Sequence, residues 1–199
     1  MMMKRLLLAP ALLVATAFPA MAEKLSLDAL STYLNAMKTV KSEFTQISDD
    51  GSVQTGNLYI KRPGRMRFEY NPPEKALVLT SGNTVAIFDG RSNQPPETYP
   101  LQRTPLSIIL AKNVDLQRAN MVVGHDYDGT ATIVTAQDPE HPEYGNIQLK
   151  FTADPVELRQ WIINDGNGSR TTVILGETER DLALKNSIFN IELLLKRNN

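Results

Sequence analysis

The chain has 199 residues, with 21 basic and 22 acidic side chains, two histidines, no cysteine and a formal net charge of −1 at pH 7. So even a balance argues against nucleic acid as the main partner. The absence of thiols excludes disulfides, thiolate metal sites and cysteine nucleophiles, so stability must come from an apolar core.

Lys4 and Arg5 precede an apolar run from Leu6 to Phe18 that ends in Pro19-Ala20-Met21-Ala22. A positive start, a short apolar stretch and an Ala-x-Ala ending make a secretory signal peptide, with cleavage expected before Glu23. The rival reading, a membrane anchor, needs roughly 18 to 20 apolar residues, and this run is shorter. Removing residues 1–22 leaves 177, and without Lys4 and Arg5 the product carries 19 basic against 22 acidic residues, a net charge near −3. That length suits one domain, 23–199, burying roughly 70% of its unfolded surface. No cysteine stands at the cleavage point to carry a lipid, so an exported, unanchored protein is expected.

From Ser26, Leu27, Leu30, Leu34 and Met37 recur at helical spacing, with Ser26 as cap and Asp28 in the first turn. The helix has one apolar stripe and must lie on something apolar. After Lys41 the period becomes two: a strand over 42–47, a turn at Asp49-Asp50-Gly51, and a partner strand from Val53 to Lys61. Pro63-Gly64 turns the chain, and Met66, Phe68 and Tyr70 then fall on one face. Asn71-Pro72-Pro73 breaks the strand, 76–80 resumes it, Ser81-Gly82-Asn83 turns, and Thr84 to Asp89 pairs back.

Residues 90–105 are rich in Asn, Gln and Pro with little periodicity and are expected to be irregular. Thr104 as N-cap and Pro105 at the first helical position then predict a short helix to Ala111. Leu106, Ile108, Ile109 and Leu110 cover most of its circumference, so more than one side needs shelter from water. A lid and an immobile core plug both fit this pattern. Strands follow at 121–127, 130–136, 146–152, 157–164, 171–175 and 188–194, with Gly, Asp and Asn in the turns. Short strands at regular spacing without long helices indicate an antiparallel sandwich or barrel.

Catalytic chemistry is scarce. Only His125 and His141 are available as bases, and neither Gly-x-Ser-x-Gly nor His-Glu-x-x-His occurs. His125-Asp126-Tyr127-Asp128 reads better as the approach to an Asp128-Gly129 turn than as metal ligands, and nothing fixes His141 in a scaffold. Asp165-Gly166-Asn167-Gly168-Ser169 imitates a calcium loop, but Gly176 occupies the twelfth position, where glutamate is required, so a hairpin turn is expected. No catalytic residue, metal or cofactor is assigned.

Lys61, Arg62, Arg65 and Arg67 form the one notable charge cluster. A solvated turn is its default reading, with lipid head groups, a partner surface or an internal hydrogen-bonding role as alternatives. Arg62 stands out, because a guanidinium satisfies several carbonyls at once and a short apolar helix ends in unsatisfied carbonyls.

Phe44-Thr45-Gln46, the run from Gly56 through Lys61-Arg62-Pro63, Leu77-Val78 with Ser81-Gly82-Asn83-Thr84, Thr104-Pro105-Leu106 through Ala111, and Phe189 occur in an order that resembles the periplasmic lipoprotein carrier family LolA. The resemblance covers almost all of 23–199. It implies a mainly β, α+β fold: an incomplete antiparallel β-barrel of about eleven strands, with helices covering the concave face and an apolar cavity between. It also implies that Arg62 latches a lid helix formed by Pro105, Leu106, Ile108, Ile109, Leu110 and Ala111, through carbonyls from Ile109 to Ala111. Leu30, Leu34, Phe44, Met66 and Phe68 would line the lipid-binding cavity, while Lys61, Arg65 and Arg67 would be surface charge or partner contacts.

The implied partners are acylated lipoproteins, an inner-membrane ATP-driven lipoprotein exporter and, where one exists, an outer-membrane acceptor. The expected product is a periplasmic monomer that does not bind nucleic acid and is not an enzyme. The chain departs from the family where a Phe-x-Phe strand and prolines usually follow, since Phe189-Asn190-Ile191 runs into Glu192 and the terminal residues. Met66 also stands where a large aromatic is common, and methionine suits a cavity that takes varied chains. An acyl chain of roughly 16 carbons, at about 0.8 kcal/mol per methylene, gives some 12 kcal/mol, and a lipoprotein carries three. Full burial would approach the ceiling of about 18 to 21 kcal/mol, so part of that energy must go into opening a closed state. A lipid or lipoprotein sensor of the same fold, a carrier of another amphiphile, and a secreted hydrolase are the competing functions. The hydrolase lacks a clustered nucleophile and base, and a sensor usually carries a second domain.

Overall fold

The structure, a computed structural model, describes residues 23–92, 94–117 and 120–197, and the signal peptide expected at 1–22 lies outside the described residues. Helix α1 (Leu27–Ala36) starts as its sequence dictates: Ser26 Oγ accepts the Ala29 N–H at 3.2 Å, and Asp28 lies in the first turn. Its stripe of Leu30, Tyr33 and Leu34 is buried.

Strands β1 (Thr39–Ile47), β2 (Val53–Lys61), β3 (Arg65–Tyr70), β4 (Leu77–Ser81), β5 (Thr84–Phe88) and β6 (Glu97–Pro100) form a meander. After helix α2 (Leu106–Leu110), a second meander contains β7 (Val122–Tyr127), β8 (Thr132–Gln137), β9 (Gly145–Thr152), β10 (Glu157–Asp165) and β11 (Arg170–Arg180). Antiparallel pairing of β1 with β11 fuses the two into one 11-stranded sheet, with β6 and β7 as its edges. The edges do not pair with each other, so the fold is the incomplete antiparallel barrel that the resemblance implied.

Curvature has local causes. The register shifts between Ser42 and Phe44, between Leu158 and Gln160, and between Val122 and Gly124, and such bulges increase twist. At Gly56 a Cβ would collide with the Glu69 carbonyl oxygen and stand 2.8 Å from the Phe44 ring. Glycine therefore lets β2, β3 and the Phe44 ring crowd together, and that ring packs edge-on to Phe68 and Tyr70, at 5.0 and 5.1 Å between centroids.

The concave face carries Phe44, Leu58, Ile60, Met66, Phe68, Val134, Leu149, Phe151, Trp161 and Val173, packed in one cluster with α1 and α2. The opposite face of β4 and β5 carries a second cluster, Leu79, Ala86 and Phe88, covered by Ile191 and Leu194.

Three elements differ from expectation. The strand predicted at 188–194 is instead a 3-10 turn (Asn186–Phe189) followed by helix α3 (Ile191–Arg197). Asn190 Oδ1 accepts the Leu193 N–H at 3.0 Å, an N-cap bond, and Ile191 and Leu194 then reach the second cluster three residues apart. Thr104 does not cap α2: its Oγ1 donates to the Leu101 carbonyl at 2.9 Å, closing a 3-10 turn over Leu101–Arg103, and Pro105 is the capping residue. The stretch 90–105, read as irregular, contains β6, whose four residues are all exposed.

The hairpin's cations are also not free surface charge. Lys61 Nζ donates to the Leu184 carbonyl at 2.6 Å, Arg65 Nη1 to Asn186 Oδ1 at 3.0 Å and Arg67 Nη1 to the Ile188 carbonyl at 2.8 Å. Together they strap the C-terminal segment across the outer face.

Gly56→Ala is expected to lower the unfolding free energy by about 3 kcal/mol through overpacking, measured by urea denaturation. Replacing Lys61 and Arg67 together by Met should speed amide exchange over 184–190 by about tenfold while leaving β8 and β9 protected.

Candidate functional site

The site is built where the β2–β3 corner meets the end of α2. At the corner Gly64 adopts φ +69°, a conformation that favours glycine. The Arg62 amide donates to the Lys38 carbonyl at 2.8 Å, fixing the corner against the exit from α1. A five-residue helix leaves its last carbonyls without helical partners. The corner takes two of them: the Gly64 N–H donates to the Leu110 carbonyl at 2.9 Å, and Arg62 Nη2 to the Ala111 carbonyl at 2.7 Å. Of the carbonyls expected to bond Arg62, Ile109 to Ala111, the guanidinium reaches that of Ala111, and the Leu110 carbonyl is taken by the backbone of Gly64 instead.

Helix α1 holds the same segment from the other side. Asn35 Oδ1 accepts the Val114 N–H at 2.9 Å and Arg62 Nη2 at 3.4 Å, and Asn35 Nδ2 donates to the Val114 carbonyl at 2.8 Å. One turn earlier, Ser31 Oγ accepts the Leu116 N–H at 3.0 Å and donates to the Leu27 carbonyl. Sequence reasoning missed Ser31 and Asn35; their four-residue spacing along one edge of α1 was the available signal. Loss of water around Arg62 pulls its guanidinium below the usual arginine value, although an arginine remains charged in any protein setting.

The expected cavity-lining residues come together. Leu30, Leu34 and Met66 are 0% exposed, Phe44 2% and Phe68 5%, in one cluster with Ile108, Ile109 and Leu110, while Leu106 and Ala111 pack at its margin and Pro105 is buried. In this conformation the side chains of α2 occupy the concave side. A cleft of about 720 Å³ opens beside Pro105 and Leu106, with Val78, Val85, Ile87 and Ile163 on its walls and Glu97, Arg103 and Asp165 among its polar lining. Val85 belongs to the buried cluster, and Val78, Leu106 and Ile163 pack against it, so the mouth of this cleft shares its walls with the interior cluster.

The other polar motifs serve local structure. Asp128 Oδ1 accepts the Thr130 and Ala131 N–H groups and the Thr130 hydroxyl, forming the turn before β8. Its carboxyl is held well below the usual range, first by the Lys150 ammonium and then by those bonds. His125 Nε2 lies 2.9 Å from the Leu25 carbonyl, and His141 stacks on Tyr144 beside Glu143. Asp165 Oδ1 accepts the Asn167 and Ser169 N–H groups, a hairpin turn.

An open antiparallel half-barrel, with helices filling its concave side, is a fold shared with solved structures. A DUF1329 family protein from Desulfovibrio piger has a TM-score of 0.52 at 12% identity, covering 84% of this chain and 96% of that one. A Vibrio parahaemolyticus domain described by its role in outer membrane lipoprotein sorting also has a TM-score of 0.52, at 7% identity, covering 84% and 96%. At such identities these likenesses show the fold alone.

In sequence, residues 35–192 match the family of the outer membrane lipoprotein carrier protein LolA. The outer-membrane lipoprotein carrier protein of Azotobacter vinelandii is 27% identical over 193 residues, 92% of each chain. That of Pseudomonas paraeruginosa is 24% identical over 197 residues, 95% of this chain and 94% of the other. The chain belongs to the LolA family, whose members are carriers and not enzymes.

Asn35→Ala strands the Val114 N–H and is expected to cost about 1–2 kcal/mol of stability. Amide exchange at Val114 should accelerate by about tenfold, with Leu30 and Leu34 unchanged.

Proposed function

We propose that the protein is a periplasmic chaperone that takes the acyl chains of lipoproteins into the apolar interior and carries them from the inner to the outer membrane. Family membership supports the cargo class. The observation that carries the mechanism is the Arg62 bond to the Ala111 carbonyl, which holds α2 over the concave cluster. In this reading Arg62 is the latch, residues 105–111 are the lid, and Leu30, Leu34, Phe44, Met66 and Phe68 become cavity wall once the lid lifts. The unit that acts is a single domain, 23–199, freed of its signal peptide and working as a monomer. It receives cargo from an inner-membrane ATP-driven exporter and delivers it to the outer membrane, through an acceptor where one exists.

The energetics favour a closed state that cargo can open. Helix α2 is too short to persist alone in water; it persists because Ile108, Ile109 and Leu110 are buried and its end is hydrogen-bonded. Exposing three such side chains costs roughly 5–9 kcal/mol, against about 12 kcal/mol for burying one acyl chain of 16 carbons. Lipid therefore wins, but the net affinity is moderated enough for release.

Arg62→Leu leaves the fold intact and removes the latch. It is expected to speed exchange of an environment-sensitive apolar dye with the interior by about tenfold, as loss of a charge-assisted bond implies, and to impair transfer of a triacylated lipoprotein. Unaltered dye kinetics with normal transfer would overturn the latch. Mass spectrometry of material co-purified from the periplasm should show triacylated protein; free phospholipid or glycolipid alone would indicate a carrier of another amphiphile.

A further inference from the structure

Among the described residues, two buried side-chain polar atoms lack a hydrogen-bond partner: Arg62 Nε and Trp161 Nε1. Arg62 is bonded through its neighbouring nitrogen. Trp161 has one polar atom, and the side chain is completely buried. Its ring stands edge-on to Phe68, with centroids 6.3 Å apart, inside the concave cluster that contains Leu30, Leu34 and Met66. A lone N–H in apolar surroundings is destabilising, and buried donors are nearly always paired. A phenylalanine would keep most of the packing without that cost, so the indole at this position calls for a reason beyond stability.

The position on β10 supplies one. Ile163, two residues along the same face, lines the mouth of the cleft, so Trp161 lies one pleat deeper, about 7 Å along the strand. An acyl chain drawn in by its tail until its head group reaches the rim carries its ester or amide carbonyl about one pleat inside the mouth, with the methylenes beyond it. The indole N–H donates and cannot accept, which makes it selective for an acceptor such as a carbonyl.

Resting on the carrier reading above, we propose that Trp161 Nε1–H donates to the carbonyl of an acyl ester or amide once the chain occupies the interior, so that the site prefers acylated amphiphiles to ether or plain alkyl lipids. The unpaired donor of the empty protein is then the cost of reading the cargo's head.

The test uses the mature protein with two probes of equal chain length, monopalmitoylglycerol and its hexadecyl glycerol ether. Affinities are read by displacement of an apolar dye. The protein holds one tryptophan, so a single indole N–H resonance reports the contact in the unmodified protein. The ester should bind about fivefold more tightly than the ether, the effect of one net hydrogen bond, and should move the indole resonance downfield where the ether does not. Trp161→Phe should bind the ether within about twofold of the parent and lose the ester preference. A preference that survives in Trp161→Phe overturns the proposal. So does an indole resonance that responds equally to both probes, or one already downfield without lipid, the sign of a resident water. If neither probe displaces dye from the parent protein, the carrier reading itself falls.

Discussion

The two carbonyls at the end of α2 must be satisfied somewhere, and the structure depends on where. They are met by Gly64 N–H and Arg62 Nη2 from the β2–β3 corner. With those bonds in place, Ile108, Ile109 and Leu110 are pressed into the concave cluster. Without them, a five-residue apolar helix has neither the length nor the caps to remain ordered. The neighbouring attachments through Asn35 and Ser31 belong to the same device, since they hold Val114 and Leu116, the residues that follow the helix. Helix α2 is thus tied along its C-terminal side to both the sheet and α1, while Pro105 and Leu106 stand at the open cleft.

Such an arrangement separates two tasks that a simple greasy pocket would confuse. In the mechanism proposed above, apolar burial supplies binding in bulk and without direction, whereas the hydrogen bonds at the corner set how much of it is used to open the interior. Polar atoms in the interior are few enough that each matters, and Trp161 Nε1 lies deep among apolar side chains.

Much of this was legible in the sequence, and the reasons are local. Helix α1 and most of the strands are set by neighbouring residues: Ser26 caps one, Gly and Asp turns bound the others, and alternating side chains settle which face is buried. Strand β6 was invisible because all four residues are exposed, leaving no alternation to read. In α3 the apolar residues run so densely that period alone cannot distinguish strand from helix, although Asn190 ahead of Ile191 was a readable cap. Which of the readings open to Lys61, Arg65 and Arg67 applies is not legible locally, because their acceptors lie more than 120 positions away. No sequence pattern reports a hydrogen bond across that distance. The pairing of Arg62 with the end of α2 came from the family resemblance, and the geometry then added Gly64 as its backbone counterpart.

The junction of β1 with β11 bears on how the molecule is made. Lys41 and Glu179 meet across it although they are 138 positions apart, whereas the other pairings join strands adjacent in the chain. Closing so long a loop is entropically unfavourable and comes slowly. Until β11 is synthesised, the first meander has its β1 edge open, with Phe44, Ile60 and Met66 short of their full cover. The order of assembly is therefore written into the topology: hairpins form early from each half, and the sheet becomes one body only after nearly the whole polypeptide is present.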